Sequence, residues 1–295
     1  MPEQLPPMNQ ARESTRTESD AAVQRVLARQ QGGFVFQHTG AELAERIEML
    51  ALSPRRLLCV GWDRELTAAL LNRRPQTRLT IVESNHRLAT QARSAATRWL
   101  RKPRFEVAEI SLAGAELPAA SFDLALANLT LARSATPDGA LKTLAQCLQP
   151  GAGLLFAMPG PDTLKELRAA WADDGFAHVA VFPDMHDLGS ALSRHGFTES
   201  VLNTETLTVQ YERISRFWED LTHQGARNCE PQRRKTLTGN GRFREMRSRL
   251  EDADGAFTVT IELIYVQCWR ATSQSHDRNL PEGEVRISLD SLTRR

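Results

Sequence analysis

Gly61, Glu83, Glu109 and Asn128 stand at or near the ends of four short apolar runs: Arg56–Val60, Leu79–Val82, Phe105–Ala108 and Ser121–Leu131. Residues of these types at strand ends can bind a ligand. A glycine there lets backbone approach a small molecule with no Cβ in the way. An acid about 20 residues later, closing the next strand, is where nucleotide-binding sheets hold a pair of ribose hydroxyls, and Glu83 follows Gly61 at about that distance. The same residues also have ordinary readings: Glu83 as a solvated strand end, Glu109 as one more surface carboxylate, Asn128 as a satisfied turn residue. The turn after Gly61 is damaged as a cradle, because Trp62, Asp63, Arg64 and Glu65 place an indole and three charges where further glycines belong. Trp62 and Asp63 are therefore either ligand contacts or side chains that fill the pocket, with Arg64 available to pair with a neighbouring carboxylate.

A parallel sheet is needed to bring these strand ends together. RRLLCVGWDRELTAALLNRRPQTRLTIVESN, residues 55–85, reads strand, tight turn, helix, strand over about 30 residues, the opening unit of a nucleotide-binding α/β sheet. Upstream, Asp20 caps a helix carrying Val23, Val26 and Leu27 that stops at Gly32-Gly33. Phe34–His38 is an aromatic segment able to pack over the mouth of the sheet, and a further helix starts from Thr39 as cap and ends before Pro54. Downstream, Ser84 or Asn85 caps a helix, Phe105–Ala108 is a third strand, Ser121–Leu131 a fourth, Pro137–Leu148 a helix and Leu154–Met158 a fifth strand after the Pro150-Gly151-Ala152-Gly153 turn. This alternation implies βαβ crossovers and a mainly parallel sheet covered on both faces. Past Gly160 come helices capped by Asp162 and Asp184, a strand Leu202–Tyr211, a helix Ile214–Gly225, a basic, loop-rich stretch at 226–245 and a long strand Phe257–Trp269 that is expected to be antiparallel. The expected fold is α/β, a seven-stranded mostly parallel sheet with helices on both faces and the last strand antiparallel.

Composition narrows the function classes. Hydrophobic residues at 41% and charged residues at 25% of 295 are ordinary for a soluble globular protein. A net charge of +1 supplies no global pull toward nucleic acid or anionic membrane, so neither is an expected partner. Cys59, Cys147, Cys229 and Cys268 form no C-x-x-C pair, and three of them sit in apolar runs, as buried thiols of a reducing compartment do. No apolar run approaches the ~18 residues of a membrane span, and the polar N-terminus has no secretory h-region, so a cytoplasmic location is expected. Asp184, His186 and Asp187 have the look of a metal site, but at a helix start they are better explained as cap and dipole partners, and no metal is expected. His178 and His195 have no partners at ligand spacing, and no Ser/His/Asp or Cys/His arrangement is recognisable. Arg227, Arg233, Arg234, Lys235, Arg242 and Arg244 form either a solvated face or a surface for an acidic protein.

The layout resembles the class I S-adenosylmethionine-dependent methyltransferases, a Rossmann-like fold. SFDLALANLTL, ALKTLAQCLQPGAGLLFAMPGPDTLKELR and FPDMHDLGSALSRHGF are similar to the malonyl-acyl-carrier-protein O-methyltransferase family of biotin synthesis, as are AELAERIEMLALSPRRLL, VQYERISRFWEDLTHQGARNC and ELIYVQCW. The resemblance covers roughly residues 20–270, and its C-terminal stretches are also similar to the methyltransferase-fold assembly factor of mitochondrial complex I. It implies a domain at 21–270, while composition makes residues 1–20 a disordered tail and 271–295 a polar one. Within the domain, 21–54 are N-terminal helices, 55–159 the cofactor-binding half and 160–270 the substrate side. By the same resemblance S-adenosylmethionine lies against Gly61, Trp62 and Asp63 with its methionine part, its ribose is held at Glu83 beside Ser84, its adenine lies near Glu109 and Ile110, and Asn128 stands beside the methyl donor. The sequence departs from the pattern in the loop: Cys59 replaces an expected aspartate, Asp63 and Glu65 replace glycines, and the loop is one residue short. Phe34, Phe36 and His38 occupy the place of a substrate lid without its tyrosines. Two functions follow from the resemblance: methylation of a malonyl thioester on acyl carrier protein, docked through Arg227–Arg244, or a methyltransferase-fold binding or assembly factor without turnover. No catalytic residue is assigned, because a carboxylate acceptor is already a nucleophile and the reaction asks mainly for positioning in a desolvated site.

Overall fold

A computed structural model describes residues 16–272 apart from 18, 51, 98–103, 135 and 172–174. The strands are β1 (Arg56–Val60), β2 (Arg78–Val82), β3 (Glu106–Ala108), β4 (Phe122–Asn128), β5 (Leu148–Pro159), β6 (Phe197–Tyr211) and β7 (Phe257–Arg270), in the sheet order β3-β2-β1-β4-β5-β7-β6. The first five strands run parallel, and β7 runs antiparallel to both β5 and β6. The expected seven-stranded, mostly parallel sheet with an antiparallel last strand is therefore the observed one.

Alternation along β1 explains the layers. Leu57 and Cys59 join a core covered by α2 (Phe34–Met49), α3 (Arg64–Arg73) and α4 (His86–Ala96), whereas Leu58 and Val60 join a second core under α5 (Asp138–Cys147) and α7 (Met185–Arg194). A third cluster joins α6 (Lys165–Ala170), α8 (Ile214–His223) and α9 (Asn240–Leu250) to the ends of β6 and β7 through Leu167, Phe217, Met246 and Phe257. The short α1 (Ala21–Leu27) packs Val23 and Leu27 into the first core.

Several boundaries differ from the sequence reading, each for a physical reason. The aromatic segment at Phe34 is the first turn of α2, not a separate cover, and Thr39 lies inside that helix with its hydroxyl 2.8 Å from the Val35 carbonyl instead of capping. β4 stops at Asn128 because Leu129 adopts φ 58°, and the chain turns into a 3-10 segment, Thr130–Arg133. The Pro-Gly-Ala-Gly stretch is a bulge within β5, where the pairing jumps from Phe122 opposite Leu148 to Leu124 opposite Gly153. β6, at 15 residues, is longer than β7 at 14. The basic stretch contains α9, which buries only Met246. The expected tail at 1–20 ends early, since Arg16 is 3% exposed; residues 1–15 and 273–295, the remainder of the two expected tails, lie outside the described residues.

Candidate functional site at the strand ends

Because β3, β2, β1 and β4 are parallel neighbours, Glu109, Glu83, Gly61 and Asn128 come to one edge of the sheet, as their spacing predicted. Their chemistry there differs sharply. Glu83 is fully buried, and its carboxylate is filled by donors from this chain. Arg133 donates to Oε1 at 2.8 Å and to Oε2 at 3.1 Å, the Asn85 amide to Oε1 at 2.8 Å, and the Trp62 amide to Oε2 at 2.9 Å. A carboxylate has about four lone-pair sites, so four donors leave none over. Burial pushes the Glu83 carboxyl up, but the Arg133 guanidinium and the two amides pull harder, and the net position is below the usual carboxylate value.

Arg133 reaches Glu83 because of the turn that precedes it. Leu129, in the left-handed region at a cost of about 1–2 kcal/mol, directs the 3-10 segment across the end of β1. Thr130 then donates its hydroxyl to the Val60 carbonyl at 2.7 Å. Gly61 has φ 85°, and a Cβ there would collide with the Thr130 methyl and come within 3.4 Å of Arg133. Glycine thus serves a close approach, but the group that approaches is the chain itself. From the other side Arg16 donates to the carbonyls of Arg133 at 3.2 Å and Ala132 at 2.9 Å, and pairs with buried Glu230. Sequence reasoning missed Arg133, Arg16 and Glu230. A single arginine directly after an apolar strand, in ANLTLARS, was the available signal.

Asn128 is 2% exposed and hydrogen-bonded at both ends of its amide. Its Nδ2 donates to the Phe36 carbonyl at 2.9 Å and to Asp63 Oδ2 at 2.6 Å, while Oδ1 lies 2.6 Å from the Thr39 hydroxyl, which donates to it. It ties α2, the β1–α3 turn and β4 together. α2 can lie this close because of Gly40, where a Cβ would sit 3.1 Å from Asn128 Nδ2 and 3.3 Å from Asp63 Oδ2. Asp63 in turn caps α3, accepting from the Leu66 amide at 2.9 Å. Burial raises its carboxyl above the ordinary range, against the opposing hydrogen bonds from Asn128 and the helix amides. Trp62 is buried and stacks on Phe105, with ring centres 5.8 Å apart. Trp62 and Asp63 thus serve the core and the helix start, and the arginine that pairs with a site carboxylate is Arg133, not Arg64 as expected. Buried Cys59 is held as a thiol by burial and by Asp63 nearby.

The other candidates lie further out. Glu109 faces His86 Nδ1 at 2.8 Å and Arg93 at 2.7 Å, with a third of its side chain exposed. Ser84 accepts from Gln24 at 3.4 Å, and Ile110 packs at the edge of the second core. Asn85, not Ser84, caps α4 through the Leu88 amide. His178 stacks on Trp171 at 4.1 Å, and His195 bonds Asp138 at 3.1 Å. Asp184 caps α7 through the Asp187 amide at 2.8 Å, as its position predicted, and no group of three metal-ligating side chains occurs among the described residues. In the basic stretch, Arg227 lies over Trp218 at 5.1 Å and Arg234 over Phe176 at 4.4 Å, while Arg233 donates to the Glu230 carbonyl at 2.9 Å.

Beyond Arg133, at the ends of β4 and β5, lies a mainly apolar cavity of about 170 Å³ lined by Leu27, Phe36, Leu129, Leu164, Phe217 and Leu263 among others. Arg133 forms part of its wall and also holds Glu83.

Comparison with known proteins gives a consistent outcome. Residues 35–200 match the methyltransferase domain family. The chain is 30% identical over 257 residues to a malonyl-[acyl-carrier protein] O-methyltransferase of Legionella pneumophila, covering 83% of this chain and 87% of that protein. It is 33% identical over 261 residues to a protein of the same name from Halorhodospira halophila, covering 86% of each. Among solved structures, a putative methyltransferase from Bacillus halodurans superposes with a TM-score of 0.57 at 12% identity, over 79% of this chain and all of that one, a likeness of fold alone.

Proposed function

The chain belongs to the malonyl-[acyl-carrier protein] O-methyltransferase family, and we propose that it methylates the free carboxylate of a malonyl group carried as a thioester on acyl carrier protein, with S-adenosylmethionine as donor. The observation that carries this reading is likeness to its relatives over more than four-fifths of the chain. In this proposal residues 55–159 serve the donor and 160–270 the acceptor. A carboxylate is its own nucleophile, so the protein's task is to position and dehydrate it. The cavity behind Arg133 supports that task, since apolar side chains of α1, α2, α6 and α8 make up much of its lining. The carrier meets the basic stretch, where Arg227, Arg233 and Arg234 are engaged internally and Lys235 and Arg244 are exposed to an acidic partner. Four free cysteines favour a reducing compartment, and we place the protein in the cytoplasm. No helix of the described residues is long and apolar enough to cross a membrane.

As the side chains are arranged, the site does not fit the donor. Glu83 has no acceptor position left for ribose hydroxyls, the Thr130 methyl and Arg133 lie over Gly61, and both Asn128 N–H donors are taken. That observation favours a second reading, in which the fold and partner surface persist without turnover as a binding or assembly factor. Calorimetric titration with S-adenosylmethionine and S-adenosylhomocysteine, followed by a carrier-protein methylation assay, separates the two. Micromolar binding with methyl transfer supports the enzyme; silence at millimolar ligand supports the second reading.

A further inference from the structure

The conflict between family membership and a filled site has a specific structural cause. We propose that Arg133 is the resident occupant of this chain's nucleoside site, and that S-adenosylmethionine enters only when the segment 129–134 lifts from the end of β1. This rests on the cofactor reading above and adds how its site is controlled.

Three independent contacts hold the segment down. Its tip is fixed by the two-pronged Arg133–Glu83 pair, its start by Thr130 on the Val60 carbonyl, and its back by Arg16, which grips the carbonyls of Ala132 and Arg133. Arg16 is anchored in turn on Glu230, 214 positions away on the acceptor side of the molecule. All four charged side chains are less than a tenth exposed. The chain connecting them is therefore continuous and buried, running from the donor acid to the half of the protein expected to receive the acceptor. The hinge is visible as well: Leu129 holds a left-handed conformation that a leucine adopts only under constraint, so lifting the segment relieves strain while it breaks the pair. A ligand that requires a minor open state binds with its affinity reduced by the fraction of molecules that are open. The same side chain walls the acceptor cavity, so lifting it joins donor and acceptor spaces into one.

The test is calorimetric titration of the full chain with S-adenosylhomocysteine, comparing wild type with Arg133→Met and Thr130→Ala, each checked for folding by circular dichroism. Arg133→Met removes the occupant at similar length. Thr130→Ala leaves the Arg133–Glu83 pair in place and frees only the start of the segment, so it serves if the first variant does not fold. The expected result is a gain in affinity of about tenfold or more for Arg133→Met and a few-fold for Thr130→Ala. Equal, micromolar binding by all three proteins overturns the latch and leaves the cofactor reading standing. No binding by any folded variant overturns the latch and the cofactor reading together.

Discussion

Glu83 and Glu109 end neighbouring parallel strands, and the sequence offers both as candidate ligand acids, Glu83 by its spacing from Gly61 and Glu109 by resemblance, yet the fold treats them as opposites. Glu83 is sealed in the protein beneath Arg133, with four donors on two oxygens. Glu109 lies at the rim, paired with Arg93 and His86 where water competes. Both carboxyls sit below their usual range, Glu109 chiefly through the Arg93 hydrogen bond and Glu83 through a guanidinium strong enough to overcome burial. The direction of a shift therefore does not separate a stabilising pair from a decorative one. What separates them is whether a loop folds over the strand end.

The comparison predicts a graded series. Arg133→Met should have the largest effect, about 3–5 kcal/mol lost in urea unfolding at neutral pH, because it strands a buried carboxylate. The sign with pH follows from the lowered Glu83 carboxyl. Its contribution is complete above the ordinary value of 4.5 and disappears as pH falls through the folded value. The stability gap between wild type and Glu83→Gln should accordingly narrow below about pH 4.5, and a gap that widens in acid would contradict the pairing. Asn128→Ala should come next, about 1–3 kcal/mol, since it takes away the Nδ2 donor from Asp63 Oδ2 and the Phe36 carbonyl inside the protein. Glu109→Gln should leave the urea midpoint unchanged, the ordinary result for a screened surface pair. If Glu109→Gln proves as damaging as Arg133→Met, the contrast between the two strand ends is wrong.

Much of this was legible in the chain. Apolar runs closed by Gly61 and Glu83 identified parallel strands and their ends, because a buried parallel strand must be apolar on both faces, whereas the fourth run read on to Leu131 past the turn that ends β4 at Asn128. Helix starts were equally readable where a side chain caps its own turn, as Asp184 does. The start of α2 was not, because Thr39 met two rules at once, cap or back-bonded interior residue, and only its neighbours Val35 and Asn128 chose between them. The basic stretch likewise concealed α9, whose one buried side chain leaves almost no periodic signal.

The sequence by itself determined the mostly parallel sheet, the likeness to the family and the polar residues that close its strands, since these show as patterns within a strand, a turn or a βαβ unit. Tertiary structure decided whether that acid is open. Arg133 lies 50 positions from Glu83 and Arg16 lies 214 from Glu230, separations at which no local pattern specifies a partner. One left-handed leucine aims the segment, and side-chain geometry, not residue type, makes this strand-end carboxylate the buried half of an ion pair.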